Sequence, residues 1–411
     1  MKKTLQSVWN DTLFRNSFYP MLATIVMGIS GFIFWFLATR LFSPADIGIA
    51  TTLIAVMNMI GFLSPLGFDS VFIRFLPHTT KKHDTINTGL VVATAAAGIL
   101  AILFVIFAKE ISPALSFVQT NTFISIAFII FCITTGLNAL TDSIFLAYRA
   151  TKYTFFINTA FTLFRLGLLF LFIKEGTLGI FLAVALSQAI GLVLSITVLL
   201  RTFDYKPTCH LNTNIVKQVR SYLTGNYLAG ILNLLPTAVV PIMVINGLGP
   251  EQTAFYSIGI MIGNLLYAIP WTTTRALFAE GSHDPDSLIS NARKSFAAMC
   301  AILFPAIIIL ILAGDTFLTF FGKTYSDEGF LFLQIIAITG VAVYTLSLLE
   351  TFFRVTKKPH WLIVVNTVYA GTIIFLCQAL MSYGLVGIGI AWLSGYVAAT
   401  IVSFLIWRNM K

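Results

Sequence analysis

Twelve long apolar runs, separated by short polar segments, dominate the pattern of the chain. Each run is close to the roughly 20 residues that a helix needs to cross a hydrocarbon core of ~30 Å. The runs are continuously apolar, whereas the strands of a membrane barrel alternate in polarity. The pattern therefore predicts membrane-spanning helices at residues 18–41, 47–76, 85–108, 121–148, 154–173, 177–200, 215–245, 252–278, 287–313, 327–350, 360–380 and 384–407.

Basic residues are concentrated in every second segment between the apolar runs. If the N-terminus is cytoplasmic, all but five of the 25 Lys and Arg residues lie on the cytoplasmic side of the predicted helices. The five exceptions are Arg40, Lys109, Lys174 and Lys323 on the opposite side and Arg165 within a helix. This agrees with the positive-inside rule, and an error of one helix would invert every later loop. We therefore predict a multi-pass protein of the cytoplasmic (inner) membrane with both termini in the cytoplasm.

Composition excludes a water-soluble fold, because 58% of the residues are hydrophobic and only 10% are charged. The net charge of +9 records membrane topology and does not indicate nucleic-acid binding. The cysteines show no paired spacing, and neither HExxH, GxSxG nor a glycine-rich phosphate loop occurs. We expect no enzymatic activity, no cofactor and no bound metal. Short extracytoplasmic loops also argue against a polysaccharide polymerase or ligase.

Two halves of the chain repeat the same features. Residues 147–153 (AYRATKY) and 352–358 (FFRVTKK) each join two predicted helices, with Arg149 and Arg354 separated by 205 positions. Pro44 and Pro250 are separated by 206 positions. Two pairs at nearly one offset predict duplication of a six-helix unit in the same orientation, as in several transporters. The predicted boundaries are a cytoplasmic segment 1–17, bundles 18–200 and 215–407, a linker 201–214 and a tail 408–411.

The segments LATRLFSPADIGIATTL (37–53) and LSPLGFDSVFIRFLP (63–77) resemble the start of a polysaccharide flippase of the Wzx type. That family shares a superfamily with MATE drug exporters and lipid II flippases. The resemblance rests on these residues: Arg40, Ser43, Pro44, Asp46, Gly48, Gly67 and Arg74. It implies an all-α membrane fold, with twelve helices in two pseudo-symmetric six-helix bundles around a central cleft. It also implies a polyprenyl-diphosphate-linked oligosaccharide as cargo.

Two charges lie deep in the predicted helices, where each costs ~2.5–3.5 kcal/mol on insertion scales. Arg165 has no carboxylate among its helical neighbours. One interpretation places it in the cleft, where it binds a diphosphate or an acidic sugar; the other is a salt bridge between helices, or a side chain that reaches the interface. Asp142 could pair with Arg165, stay protonated, or load a proton or sodium ion.

A second set of charges lies near the cytoplasmic helix ends. Asp69 and Arg275 are separated by 206 positions, so the repeat predicts opposite charges at equivalent places and a salt-bridge gate at the cytoplasmic mouth. Glu350 precedes Arg354 by four residues, the spacing of a helical ion pair. For Glu350 the sequence favours this interfacial salt bridge.

Predicted helix seven carries polar residues on one face and two prolines. The polar positions recur at helical spacing: Tyr222, Asn226, Gly230, Asn233 and Thr237. Pro236 and Pro241 should bend the same helix. The sequence therefore predicts a cleft wall that meets sugar hydroxyls, with Arg165, Asn226, Asn233, Tyr222 and Arg275 as candidate substrate-binding residues. Ordinary helix–helix contacts made by small and amide residues are the alternative.

The predicted cytoplasmic rim is basic, which suits capture of a diphosphate headgroup at the inner leaflet. The residues assigned to this capture are Arg74, Arg149, Lys152, Arg354 and Lys357.

The favoured function is a secondary transporter that flips the lipid-linked oligosaccharide by alternating access, for surface polysaccharide biosynthesis. The expected partners are that cargo, membrane lipids and polysaccharide polymerase machinery, and the expected state is a monomer. No ATPase motif occurs, so the energy must come from an ion gradient, the membrane potential or consumption of the cargo. The alternative is a MATE-like cation-coupled drug exporter, which would require a cleft dominated by carboxylates, whereas predicted helices one and seven contain none.

Overall fold

The computed structural model describes residues 12–208, 212, 215, 226–283, 288–356 and 358–409. Nearly all of these residues are helical. The twelve long helices are α1 (Thr12–Leu41), α2 (Pro44–Leu63), α3 (Lys82–Ile106), α4 (Thr122–Ala147), α5 (Thr151–Leu171), α6 (Thr177–Thr202), α7 (Asn226–Gly247), α8 (Pro250–His283), α9 (Leu288–Thr319), α10 (Lys323–Val355), α11 (Pro359–Ala379) and α12 (Gly384–Asn409).

All twelve predicted membrane helices are confirmed. Within the described part of the chain, twelve helices are long and apolar enough to span a membrane. Helix starts coincide with proline at Pro44, Pro250 and Pro359, where the missing N–H removes no helical hydrogen bond. The chain is therefore a multi-pass membrane protein.

The second predicted helix, 47–76, extends too far at its C-terminal end. α2 ends at Leu63, and the chain turns through Leu66 and Gly67, both with positive φ, before a separate helix at Phe68–Phe75. Phe68 and Phe72 pack over Gly89 of α3, where a Cβ atom would contact both rings. The separate helix therefore places its apolar face in the core and ends the membrane span at Leu63.

The described residues form two compact units. The first unit lies within Met1–Phe42 and Leu53–Thr224, and the second within Ser43–Thr52 and Gly225–Lys411. The first turns of α2 belong to the second unit, because a Cβ on Gly48 would overlap the carbonyl oxygen of Pro250. In the same contact the Ser257 hydroxyl donates to Thr51 Oγ1 at 3.0 Å. The predicted boundaries at 17, 200, 214 and 407 stay predictions.

The two units repeat the same secondary structure. α2 and α8 begin 206 positions apart, at Pro44 and Pro250, which confirms that pairing. Later landmarks correspond at an offset of 208. They are the helix ends Ala147 and Val355, the helix starts Thr151 and Pro359, the 3₁₀ turns Ile173–Glu175 and Met381–Tyr383, and the positive-φ glycines Gly176 and Gly384.

The offset of 208 corrects the pairing of Arg149 with Arg354. Arg149 corresponds in position to Lys357 and Arg354 to Leu146, so the sequence pairing was three residues out of register. Local similarity of two short basic segments suggested the wrong match, whereas helix ends fix the register. The same close approach in both units supports the offset of 208. A Cβ on Gly179 would overlap the Phe172 carbonyl, and a Cβ on Gly387 would overlap the Leu380 carbonyl.

The segment after α6 is tied to the start of α3. Asn87 donates through Nδ2 to the carbonyl oxygen of Lys206 and to Thr208 Oγ1, at 3.1 and 2.8 Å. Its Oδ1 accepts from the Tyr205 hydroxyl and from the Thr208 backbone N–H. The first part of the predicted linker is thus an ordered extension of the first unit.

Candidate functional site

A polar cavity of about 260 Å³ lies within the second unit. It is formed by side chains from α7, α8, α10 and α12, with α10 contributing most of them. The lining residues are Asn233, Trp271, Thr274, Leu346, Ser347, Glu350, Thr351, Arg354 and Tyr396. The α10 members fall at helical spacing and form one face of that helix.

Glu350 and Arg354 form an ion pair in the cavity wall. Arg354 Nη2 donates to Glu350 Oε2 at 3.1 Å, which confirms the predicted i,i+4 pair. The Glu350 side chain is only 11% exposed and the Arg354 side chain 53%. The second carboxylate oxygen, Glu350 Oε1, is buried and has no hydrogen-bond partner. A buried acceptor of this kind is costly unless a ligand or water donates to it.

Of the substrate-binding residues predicted on helix seven, only Asn233 has a side chain that the structure describes. Its Nδ2 donates to Asn366 Oδ1 of α11 at 3.1 Å, and Asn366 Nδ2 donates to the Leu362 carbonyl oxygen at 2.9 Å. Asn233 and Thr237 are both exposed, and α7 stays helical through Pro236. The amide therefore combines the two proposed roles, since it joins two helices and also lines the cavity.

Aromatic rings form another part of the cavity wall. Trp271 is 39% exposed and packs edge-on against Tyr267, whose hydroxyl donates to the Ile336 carbonyl oxygen at 2.6 Å. Tyr396 is buried and accepts from the Tyr369 hydroxyl at 3.3 Å. Of the two aromatic residues among the described lining residues, Trp271 is therefore the exposed one and Tyr396 the buried one.

The first unit holds a related acidic group. Asp142 on α4 faces Thr154 and Asn158 of α5. At the offset of 208, Asp142 corresponds to Glu350 and Asn158 to Asn366, and Glu350 likewise faces Asn366. An intramembrane carboxyl opposite an asparagine thus occurs in both units. Asp142 and Arg165 do not form an ion pair, so that alternative for the two charges is wrong.

Arg165 lies against helix α1. Its guanidinium carbon is 4.7 Å from the centroid of the Phe34 ring, a cation–π contact. A Cβ on Gly31 would be 4.0 Å from Arg165 Nη2, so the small residue leaves room for the group. Arg165 Nε is buried and has no hydrogen-bond partner. The protein neighbour of this charge is therefore an aromatic ring, and the predicted role in substrate binding stays a prediction.

Asp69 and Arg74 lie on the short helix Phe68–Phe75 rather than on the second membrane helix. Asp69 is in its first turn and Arg74 in its last turn, where both charges complement the helix dipole. Arg74 also lies 5.6 Å from the centroid of the Phe75 ring. The proposed gate between Asp69 and Arg275 stays a prediction, because the Arg275 side chain lies outside the described residues.

Exposed basic residues cluster with aromatic rings at the α4–α5 hinge. Arg149 takes a left-handed conformation with φ 55, and Lys152 Nζ lies 4.9 Å from the centroid of the Tyr153 ring. Lys82 Nζ is 5.6 Å from the centroid of the Tyr148 ring, which stacks on Phe203. Partial burial raises the pKa of the Tyr148 hydroxyl, so the ring stays neutral beneath the ammonium group.

Several predicted site residues lie outside the described part of the chain. They are Tyr222, Lys357 and the side chains of Asn226 and Arg275. Sequence reasoning also missed six cavity residues, Trp271, Thr274, Leu346, Ser347, Thr351 and Tyr396. The spacing of Ser347, Glu350, Thr351 and Arg354 on one helical face was the available signal for α10. No comparable signal marked Trp271 or Tyr396, which reach the cavity from other helices.

The described helices form a membrane-protein fold that is similar to solved structures of a lipid II flippase and of MATE transporters. A structure described as "Lipid II flippase MurJ, inward closed conformation" matches with a TM-score of 0.77 at 11% identity, over 95% of this chain and 87% of that chain. An inward-facing multidrug resistance MATE transporter matches with a TM-score of 0.66 at 14% identity, over 96% and 94%. An outward-facing multidrug resistance MATE transporter matches with a TM-score of 0.65 at 14% identity, over 97% of this chain and 95% of that chain.

The sequence model of one family, described as polysaccharide biosynthesis protein, matches residues 37–328. The chain belongs to this polysaccharide biosynthesis protein family. Among curated protein sequences there is no significant match.

Proposed function

We propose that the chain is a secondary transporter that flips a polyprenyl-diphosphate-linked oligosaccharide across the cytoplasmic membrane by alternating access. The observation that carries the proposal is the family match over residues 37–328, which ties the chain to polysaccharide biosynthesis. Similarity in fold to a protein described as a lipid II flippase supports it. The transporter performs no covalent chemistry on its cargo.

In this proposal the two units divide the work of binding. Arg165 in the first unit attracts the diphosphate or an acidic sugar, and its unpartnered Nε supports such a role. Asn233, Asn226 and Arg275 of the second unit contact the glycan, together with Tyr222. Asp142 loads the coupling ion, and Asp69 takes part in a cytoplasmic gate.

Capture of the cargo begins at the cytoplasmic leaflet, with both termini on that side. Arg74, Arg149 and Lys152 of the first unit are exposed and basic, as is Arg354 of the second; Lys357 completes the set. Electrostatic attraction of a diphosphate headgroup to such residues is worth ~1 kcal/mol each near the membrane surface. We further propose that the protein acts as a monomer and hands its cargo to polysaccharide polymerase machinery.

The experiment is deletion of the gene in its host. Loss of one surface polysaccharide, with its lipid-linked unit accumulating on the cytoplasmic leaflet, is expected and would identify the cargo. An unchanged surface polysaccharide together with accumulation of cationic drugs would contradict the proposal.

That second outcome would favour a MATE-like cation-coupled exporter. Similarity to MATE structures, with TM-scores of 0.65 and 0.66, supports this alternative. The Glu350–Arg354 pair argues against it, because the cavity carboxylate is already paired with an internal cation.

A further inference from the structure

A cluster of three aromatic rings holds two lysines at one end of the first unit. Tyr148 and Tyr153 both pack on Phe203, with ring centroids 4.7 and 6.0 Å from the centroid of that ring. Lys82 Nζ lies 5.6 Å from the Tyr148 centroid. Lys152 Nζ lies 4.9 Å from the Tyr153 centroid. Each cation–π contact limits the positions of its ammonium group, so both charges are held over one ring cluster.

The cations at this end of the unit have no acidic partner. Lys82, Lys152 and Arg149 are exposed, and none of them forms an ion pair with a carboxylate in the part of the chain that the structure describes. Asp84 and Asp204 are the acids on the same segments, and the three cations outnumber them. A ligand that brings negative charge is therefore favoured here.

The face of α5 that continues from Lys152 is apolar and exposed. Phe156, Leu163 and Phe170 follow Lys152 by 4, 11 and 18 residues, spacings that return to the same side of a helix. These side chains are 59%, 58% and 54% exposed, and such a face of a membrane-spanning helix contacts lipid. Leu163 lies ~16 Å along the helix from Lys152, about half the thickness of the hydrocarbon core. The lysine is therefore at the headgroup end of a surface that matches one acyl chain.

We propose that this end of the first unit holds an anionic glycerophospholipid as a resident ligand. Lys82, Lys152 and Arg149 bind its phosphate, and one acyl chain lies along the exposed face of α5. Charge selects an anionic headgroup, and the apolar face selects a lipid over a soluble anion. The same end is predicted to be cytoplasmic, on the side where anionic lipids attract basic residues. Aromatic rings at this level are typical of a membrane interface.

This inference goes beyond the proposed function, because the phospholipid is a resident ligand and not the cargo. Arg149 and Lys152 are also among the residues proposed to capture the cargo. The diphosphate of the cargo would therefore reach these two side chains only after displacing the phospholipid.

The test counts lipids bound to the purified full-length protein by native mass spectrometry. The probes are phosphatidylglycerol and phosphatidylcholine with identical acyl chains, since the first headgroup has a net negative charge and the second has none. The wild type is expected to bind its first phosphatidylglycerol molecule about tenfold more tightly than phosphatidylcholine. Inorganic pyrophosphate is expected not to displace that lipid, because it has no chain to contact α5.

Variants assign the preference to the two lysines on the ring cluster. Lys82→Gln combined with Lys152→Gln should bind the two lipids within about twofold of each other, whereas Lys82→Arg combined with Lys152→Arg should retain the preference. Lys109→Gln combined with Lys174→Gln is the matched control, because these exposed lysines lie beyond the opposite ends of α3 and α5. Size-exclusion profiles and thermal unfolding verify folding, and Lys152→Gln alone, with a smaller expected loss, replaces a double variant that does not fold.

Equal binding of the two lipids by the wild type would overturn the phospholipid site, as would a preference that persists in the folded Gln variant. Equal loss of the preference in the Lys109 and Lys174 control would attribute it to overall charge, and displacement by pyrophosphate would indicate a site for soluble anions. Both of those outcomes also contradict the inference. None of these measurements requires transport, so failure of the wild type to restore surface polysaccharide in the deletion host contradicts the proposed function alone.

Discussion

The fourth helix of each unit carries an acidic side chain that faces an asparagine on the fifth, yet the two copies differ in charge balance. In the second unit Glu350 is paired with Arg354 on its own helix. In the first unit Leu146 occupies the position equivalent to Arg354, so Asp142 has no basic partner one turn away. The two units thus share the carboxyl–amide contact and differ in the neighbouring cation.

The first unit also has an arginine that the second unit lacks at the equivalent position. Arg165 in the first unit corresponds at the offset of 208 to Ile373, which is buried and packs against Gly395. Glu350 and Arg354 of the second unit are therefore paired, whereas Asp142 and Arg165 of the first unit are not. The second unit thus has its ion pair in the cavity wall, whereas the acid and the arginine of the first unit lie in separate surroundings.

Substitution Arg165→Ile places the second-unit residue into the first unit, and the largest effect is expected here. Removing a guanidinium whose Nε has no partner should leave folding intact, while transport falls by about a hundredfold, or ~2.7 kcal/mol. Restoration of surface polysaccharide in the deletion host measures transport. Arg165→Lys, which keeps the charge and loses the planar contact with Phe34, should be intermediate. Wild-type restoration by Arg165→Ile would make this arginine dispensable.

Substitutions Gly179→Ala and Gly387→Ala test whether the two units are equivalent in packing. Each added Cβ would overlap a backbone carbonyl at the same place in the repeat. Both should therefore destabilise the protein by similar amounts, ~1–3 kcal/mol, seen as lower thermal unfolding temperatures. Gly167→Ala and Gly371→Ala are the controls, because nothing lies within 4 Å of either added Cβ. A large difference between Gly179→Ala and Gly387→Ala would break the 208 register.

Substitution Leu146→Arg gives Asp142 the partner that Glu350 has. Leu146 is 44% exposed, so the longer side chain can be accommodated. The new i,i+4 pair should hold Asp142 ionised, and transport should fall several-fold if this residue must change protonation or ion occupancy. Leu146→Gln, of similar length and without charge, should transport normally. Equal transport by the Arg and Gln variants would contradict a coupling role for Asp142.

The smallest effect is a difference in stability between two amide substitutions. Glu350→Gln removes a charge-assisted hydrogen bond and should cost about 1 kcal/mol, at the low end because Arg354 is half exposed. Asp142→Asn removes no ion pair and should stay within ~0.5 kcal/mol of the wild type. Thermal unfolding of the two variants side by side measures the difference. The opposite ranking would mean that Asp142 has the stronger structural role.

The sequence by itself determined the number and order of the membrane helices and the existence of a repeat. Continuous apolar runs and alternating basic loops are local signals, since every spanning helix must satisfy its own backbone and bury its own length in lipid. The Glu350–Arg354 pair was equally local, because four residues separate its members on one helix. These features need no knowledge of which helices touch.

The tertiary structure alone decided the break at Leu63, the 208 register and the cavity. The break depends on Phe68 and Phe72 packing over Gly89 of a later helix. The cavity brings together Trp271 and Tyr396, which are 125 positions apart in the sequence, with one face of α10. Arg165 met the ring of Phe34 rather than a carboxylate, because packing of α1 against α5 placed that ring beside it. Contacts between distant helices carry no sequence period, so a single sequence cannot display them.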